Sequence, residues 1–258
     1  MLVACLTPTR DRRLYLPLAI QCFLNQTHTD RELLILDDGD DDIRDLIPKD
    51  RRITCVRNPA AHATLGAKLN TLAAMTSAQV LCNWDDDDWY SNDRIAHQLE
   101  TLTANNKAVV GFRSLNYWDE TTNTARRWTW SRADQYACGG SQIYTRHWAL
   151  AHPLPNLTMN VDYHSSHVAS DAHELFSESG LPYYVARFHI HSYWRQPFAK
   201  CGFAPVPIET LPPQFFADLR ATRQDRPPSP QPPLWQGDNR ARAPRGVPTA
   251  KIRDPNKR

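Results

Sequence analysis

Four consecutive aspartates, Asp85–Asp88, stand between Trp84 and Trp89 in the stretch LCNWDDDDWYSNDRI. Adjacent carboxylates repel, and tryptophan is normally placed where water is scarce, so the run is costly unless something neutralises it. Hard divalent cations take oxygen ligands, and Mg²⁺ typically joins one or two carboxylates to substrate phosphates. The run therefore points to a metal–diphosphate site. A second acidic group, Asp37-Asp38-Gly39, lies upstream. Acidic runs are ordinarily solvated loops; the apolar segment that leads into this one and the flanking tryptophans weigh against that.

The elements that would position these acids follow from hydrophobic patterning. LVACLT (2–7), ELLILDD (32–38), RITCVR (52–57) and QVLCNW (79–84) are short apolar runs of the kind buried parallel strands use. Between them, LYLPLAIQCFLNQ places Leu14, Leu18, Cys22 and Phe23 on one helical face, with Pro17 tolerable near the first turn. LGAKLNTLAAM spaces Leu65, Leu69 and Leu72 at helical intervals, and Ser91 is expected to cap a helix carrying Ile95, Leu99 and Leu102. Alternating strands and helices over this half predict an α/β fold with a doubly wound, mostly parallel sheet. Such sheets bind ligands beyond the carboxyl ends of their strands, where both acidic clusters fall. After Ala108 the segments VVGF, LNYW, RRWTWS and SQIYTR predict a smaller mixed or antiparallel region, and YYVARFHIHSYW (183–194) one further strand.

At 258 residues the chain suits one large domain, and 41% hydrophobic with 22% charged residues is ordinary for a globular protein. The net charge of +2 is uneven: from Thr222 onward nine Lys/Arg face three Asp, among eight prolines. The expected organisation is a domain over 1–205, with a ligand-binding half at 1–107 and a second half at 108–205. Residues 206–258 are expected to form an extended or disordered Pro/Arg-rich tail. The six cysteines show no CxxC pair, which suggests reduced thiols and a cytoplasmic protein. The N-terminal apolar stretch is too short for a signal peptide, and no run reaches the ~18–20 apolar residues of a membrane span.

The motifs LTPTRDR, QTHTDRELLILDDGDDD, LGAKLN and WDDDDW together resemble family 2 glycosyltransferases of the GT-A fold, over roughly residues 1–195. The resemblance implies a Rossmann-like, mostly parallel sheet with a mixed acceptor-side region. It implies inverting, metal-dependent transfer of a sugar from a nucleotide sugar, of which a UDP-sugar is the expected form, to an acceptor hydroxyl. Thr7, Pro8 and Arg10 match the first-strand loop that touches the nucleotide, and Asp37 and Asp38 the acidic pair facing its base or ribose. Lys68 and Asn70 match positions near the diphosphate; a helix N-terminus beside a lysine is also an anion site on physical grounds. Asp85 and Asp87 fit the two acids of the DxD motif holding Mn²⁺ or Mg²⁺, with Asp86 as the alternate register. ACGGSQIYTRHW (137–148) fits the acceptor loop, and Asp162 aligns with the general base, although Val161 stands where the family commonly has Glu. Asp171 is a second candidate.

His189 and His191 end the late strand, where similar enzymes place a metal- or phosphate-proximal histidine, and His189 is preferred; Arg195 could contact phosphate. Trp128 and Trp130 could stack on a sugar or form a packing lid. The 222–258 tail is open to three uses: a solvated extension, an arm for a polyanion, or contact with an anionic membrane surface. The acceptor is correspondingly open among saccharide, lipid-linked, protein and hydroxymethylated phage-type DNA. A second function class is an inactive GT-A scaffold binding nucleic acid or a partner.

Overall fold

Val3 and Cys5 point to one side of the first strand, Ala4 and Leu6 to the other, and all four are fully buried. This two-residue alternation lets one strand feed two cores, which is why the run reads as continuously apolar. The strand, β1 (Val3–Thr9), pairs in parallel with β2 (Arg31–Asp37) and with β4 (Val80–Asn83), and β3 (Ile53–Arg57) continues the parallel array beyond β2. The computed structural model describes residues 1–59, 61, 63–131, 135–190, 192 and 203–224. On one face α1 (Leu16–Leu24), α3 (Arg94–Ala104) and α6 (Pro213–Gln224) pack with Val3, Cys5, Leu33 and Ile35. On the other, α2 (Leu65–Met75), α4 (Arg146–Ala151) and α5 (Val161–Asp171) pack with Ala4, Leu6, Leu34 and Leu36.

Beyond β4 the strand direction reverses. β8 (Ile143–Thr145) is antiparallel to β4, and β6 (Val109–Asp119) is antiparallel to β8 and to β7 (Thr124–Thr129). VVGF and LNYW, expected as separate pieces, are the two ends of this one β6. β9 (Leu175–Ser179) and β10 (Tyr184–Phe188) run parallel to β6, and the short β5 (Trp89–Tyr90) pairs with β10. β11 (Ala204–Val206) closes the edge on β7. The strands form a single sheet, parallel at one side and mixed at the other, and the fold is GT-A.

Three local expectations change. Leu14 precedes α1 and is exposed. Ser91 does not cap α3: its carbonyl accepts from Arg94 N, Asp93 is the first flanking residue, and the Ser91 hydroxyl has no partner among the described residues. Residues 206–224, expected in the tail, fold onto the body. Phe215 and Leu219 of α6 are buried in the main core, worth about 3–6 kcal/mol as an upper estimate. Asp218 also accepts a 2.8 Å bond from the Trp89 indole. The rest of the tail, 225–258, lies outside the described residues, as do His191 and Arg195. The five described cysteines form no disulfide. No helix among the described residues is long and apolar enough to cross a membrane.

Candidate active site

The aspartate run begins where β4 ends, and its flanks explain the tryptophans. The Trp84 indole N–H donates to the Ala19 carbonyl of α1 at 3.0 Å, and Trp89 to Asp218 of α6. Each buried ring therefore clamps one end of the run while its polar atom is satisfied. Beneath lies Arg94, fully buried, with its guanidinium carbon 5.1, 4.2 and 5.5 Å from the rings of Trp84, Tyr90 and Tyr184. It donates to the carbonyls of Asn83 (3.0 Å) and Gly140 (2.8 Å), pinning the backbone on both sides of Asp85. Gly140 must be glycine there, because a Cβ would sit 2.2 Å from Asp85 Oδ2.

The four carboxylates open on a cavity of about 290 Å³ lined also by Pro8, Arg10, Arg12, Lys68 and Arg187. Burial, followed by the charge of Asp87, pushes both Asp85 and Asp86 up to about 7, and the same causes raise Asp88. Asp87 alone moves down: against the cost of burial, the bond from His189 Nε2 at 3.0 Å and the nearby Arg12 guanidinium hold it below the usual carboxylate range. His189 is itself fixed by stacking on Tyr15, ring centres 3.7 Å apart. Arg12 Nη1 lies 3.8 Å from Asp87 Oδ2 and is buried with no hydrogen-bond partner among the described residues. Asp88 accepts from the Tyr184 hydroxyl and from Arg187 N.

The upstream acids are arranged otherwise. Asp37 accepts from Gly39 N and from Arg57 Nε, both at 2.9 Å. Asp38 accepts from Lys68 Nζ (2.8 Å), Arg10 Nε (3.0 Å) and Ala63 N (2.8 Å). Burial alone would raise Asp38; the Arg10 and Lys68 bonds outweigh it and lower its pKa. Gly39 lies so close to the β1 loop that a Cβ would be 2.6 Å from Asp11 N.

Other predicted positions divide. Pro8, Arg10 and Lys68 line the acidic cavity. Thr7 does not: it is fully buried and its hydroxyl donates to the Trp84 carbonyl at 2.8 Å, a structural bond between β1 and the aspartate run. Asn70 exchanges two 2.9 Å bonds with the Leu154 backbone, so its side chain is committed to holding that loop. The α2 first turn is also occupied, Gly66 N by the Leu157 carbonyl and Ala67 N by Thr64 Oγ1, which closes the expected helix-terminal anion site.

Asp162 sits at the start of α5 against the glycine loop. Its Oδ2 accepts from the Tyr136 hydroxyl at 2.5 Å and Gly139 N at 3.4 Å, leaving Oδ1 without a hydrogen bond among the described residues. It lines a second cavity of about 350 Å³ that shares Leu65, Asp85 and Cys138 with the first. Asp171 is exposed at the opposite end of α5, nine residues and about 13 Å along the axis. The structure separates it from the site. Trp130 stacks on Tyr136 at 4.5 Å, with Trp128 5.5 Å from the same ring; the pair packs behind the residue that holds Asp162.

The sequence matches the family described as Glycosyl transferase family 2 over residues 5–178. The chain belongs to this family. An uncharacterized glycosyltransferase of Haemophilus influenzae is 27% identical over 114 residues, 42% of this chain and 45% of that protein. Among solved structures, S. aureus TarS 1-349 in complex with UDP superposes with a TM-score of 0.59 at 13% identity, covering 73% of this chain and 61% of that one. Mannosyltransferase PcManGT from Pyrobaculum calidifontis, in complex with GDP-Man and Mn²⁺, gives 0.57 at 12%, covering 74% and 57%. The chain thus spans less than half of the curated relative and about three fifths of these enzymes; the structural likeness shows the fold.

In this family 2 chain the donor set suits a hard divalent cation. Its oxygens come from carboxylates crowded together, buried or half-buried, at a strand end, the hard ligands such an ion takes. Among the described residues no group of three His, Cys, Asp or Glu side chains is placed to hold a metal ion by itself. Sequence reasoning missed Arg12, Arg94, Tyr136 and Tyr184. Arg12 lay two residues past Arg10 in the same loop, and Arg94 six residues past the aspartate run, so both could have been found; Tyr136 and Tyr184 reach the site from distant segments and left no local signal.

Proposed function

We propose that the chain transfers a sugar from a nucleoside-diphosphate sugar, a UDP-sugar by preference, to an acceptor hydroxyl with inversion, using Asp162 as general base. The observation that carries this is the carboxylate of Asp162, anchored through Oδ2 by Tyr136 and Gly139 with Oδ1 left open, beside a cavity that continues past Asp85 into the acidic one. A base must be fixed and within reach of the proton it takes, and the anchor supplies the fixing. In the first cavity Arg12, whose Nη1 has no hydrogen-bond partner among the described residues, supplies positive charge toward a diphosphate. A divalent cation, Mn²⁺ or Mg²⁺, bound by Asp85, Asp87 and His189 would supply the charge that stabilises the departing nucleoside diphosphate. His189 is kept in place by Tyr15 and Asp87, and Asp85 by Gly140 and the Arg94 bonds beneath. One base acting on the face opposite the leaving group inverts the anomeric carbon, and no covalent enzyme intermediate is needed.

Asp162→Asn keeps the anchor geometry but cannot take a proton. We expect it to retain the thermal shift given by UDP with Mn²⁺ and to lose transfer by ~10²–10⁴-fold. Transfer retained by the variant would overturn the base assignment. If the wild-type protein with Mn²⁺ neither shifts with nor slowly hydrolyses UDP-, GDP- or dTDP-sugars, the transferase reading fails and a non-catalytic GT-A scaffold remains.

A further inference from the structure

The two cavities that meet at Asp85 are chemically unlike. The first is ringed by four carboxylates and four cations. The second, between the sheet and the helices α2, α4 and α5, is walled by Leu69, Ala73, Val109, Tyr144, Trp148 and Val168. Of its amides, three have their hydrogen-bonding groups already used, and among its other polar side chains His152, Asn160 and His164 are exposed to solvent. Asn70 is bonded at both ends to the Leu154 backbone. Asn83 donates to the Gly139 carbonyl and accepts from the Tyr144 hydroxyl, each at 2.8 Å. Gln142 donates to the Ala137 carbonyl at 2.9 Å and accepts from Ser165 at 2.7 Å. A saccharide entering here would shed water from many hydroxyls and find few partners, which is costly for each unpaired group. An apolar body loses nothing. Among the half-buried side chains of the wall, Asp162 at the start of α5 keeps an open acceptor, Oδ1.

We propose that this second cavity is an acceptor site for a hydroxyl carried on an apolar group, a phenol or a hydrophobic alcohol, with the hydroxyl at Asp162. A dry cavity of about 150 Å³ takes one benzene ring, so about 350 Å³ accommodates a body of two fused rings or a comparable alkyl chain. The outer wall comes from the segment 148–163, which also exposes Leu150, Leu157, Met159 and Tyr163, so the apolar character continues outward for a longer group. The assigned role rests on the transfer reaction proposed above. The acceptor oxygen bonds to the anomeric carbon as the bond from that carbon to the diphosphate breaks. The hydroxyl proton passes to Asp162 Oδ1, and the electron pair of the broken bond leaves on the nucleoside diphosphate.

The test starts without any donor. 2-Naphthol, followed by its own fluorescence, should bind the full chain saturably at one site, and methyl β-glucoside should not displace it. Val168→Phe and Ala149→Phe each fill the cavity and should weaken naphthol at least tenfold; circular dichroism identifies which variants are folded, and either suffices. With a donor that the wild type turns over, 2-naphthol (aromatic arm) or decan-1-ol (aliphatic arm) should be glycosylated at least tenfold faster than methyl β-glucoside, and the faster arm names the acceptor chemistry. Absence of saturable binding, unchanged affinity in a folded cavity-filling variant, or faster transfer to the glucoside overturns the proposal. Naphthol binding that the fillings weaken, with no donor turned over by the wild type, supports the apolar site and counts against the transferase reading instead.

Discussion

Two acidic strand ends face one another across β1, and they are built on opposite principles. Asp37 and Asp38 are each matched by cations: Arg57 for the first, Arg10 and Lys68 for the second. The protein completes this cluster by itself. Asp85–Asp88 are four acids with His189, Arg12 and the buried Arg94 nearby, and only Asp87 is held ionised; Asp85, Asp86 and Asp88 are pushed upward by burial and by one another. The first cluster is thus matched charge for charge, and the second keeps three of its four acids raised by burial. Identical residue types, at equivalent places in the sheet, have acquired different tasks through what surrounds them.

Neutralising one acid in each cluster breaks this comparison if it is wrong. Asp38→Asn leaves Arg10 and the buried Lys68 without their counter-charge, and should cost about 3 kcal/mol, a fall in Tm of roughly 6–12 °C for a domain of this size. Asp88→Asn removes a charge that is already suppressed, and Asn can keep both bonds, because the Tyr184 hydroxyl can turn to accept while the amide oxygen still accepts from Arg187 N. Its effect should stay within about 1 kcal/mol and be stabilising at pH 8. Melting curves of the two variants side by side settle the matter: equal losses would mean that both clusters are framework.

The same contrast has a pH signature. Asp85 and Asp86 titrate at about 7 in the folded, metal-free protein and near 4 when unfolded. Between these values the folded state holds more protons, so stability falls as pH rises through about 4 to 7. Asp38, with its lowered pKa, contributes the opposite way: its stabilisation is present above the unfolded value and is lost as pH falls. With EDTA present, Tm should therefore decline from pH 5 to pH 8, and Mn²⁺ with UDP should flatten the decline. A Tm that rises over this window in EDTA would show that the aspartate run is already neutralised by the protein.

How far this was legible in the sequence follows from how local each signal is. The parallel half was readable because β1, β2 and β4 are apolar on both faces and the acids follow at once. The mixed character of the second half was readable too, but not that VVGF and LNYW are one strand, because β6 takes its meaning from pairing with β7, β8, β9 and β10, partners no window contains. α6 looked like tail because proline surrounds it; only the long-range burial of Phe215 and Leu219 shows otherwise. In the site, the acids announced themselves by crowding, whereas the bonds of Arg94 to the Gly140 carbonyl and of Tyr136 to the Asp162 carboxylate join segments that no local window contains. Thr7 and Asn70 were drawn into the site by motif position, yet their side chains are bonded to the Trp84 and Leu154 backbone.

Thr7 offers the finest test, since it touches the second cluster only from behind. Its hydroxyl donates to the carbonyl of Trp84, the residue before the run, and is fully buried. Thr7→Val keeps the shape and removes one buried hydrogen bond, worth about 1 kcal/mol and a few degrees in Tm. If the hydroxyl is framework, the apparent Kd for UDP with Mn²⁺ changes less than twofold, because Trp84 is still clamped by its indole bond to Ala19. If it reads the nucleotide, affinity falls with little change in Tm. The burial of Thr7 away from the lining of the acidic cavity favours the first outcome: β1 holds the strand end in place, and the loop that follows it, with Pro8, Arg10 and Arg12, lines the cavity.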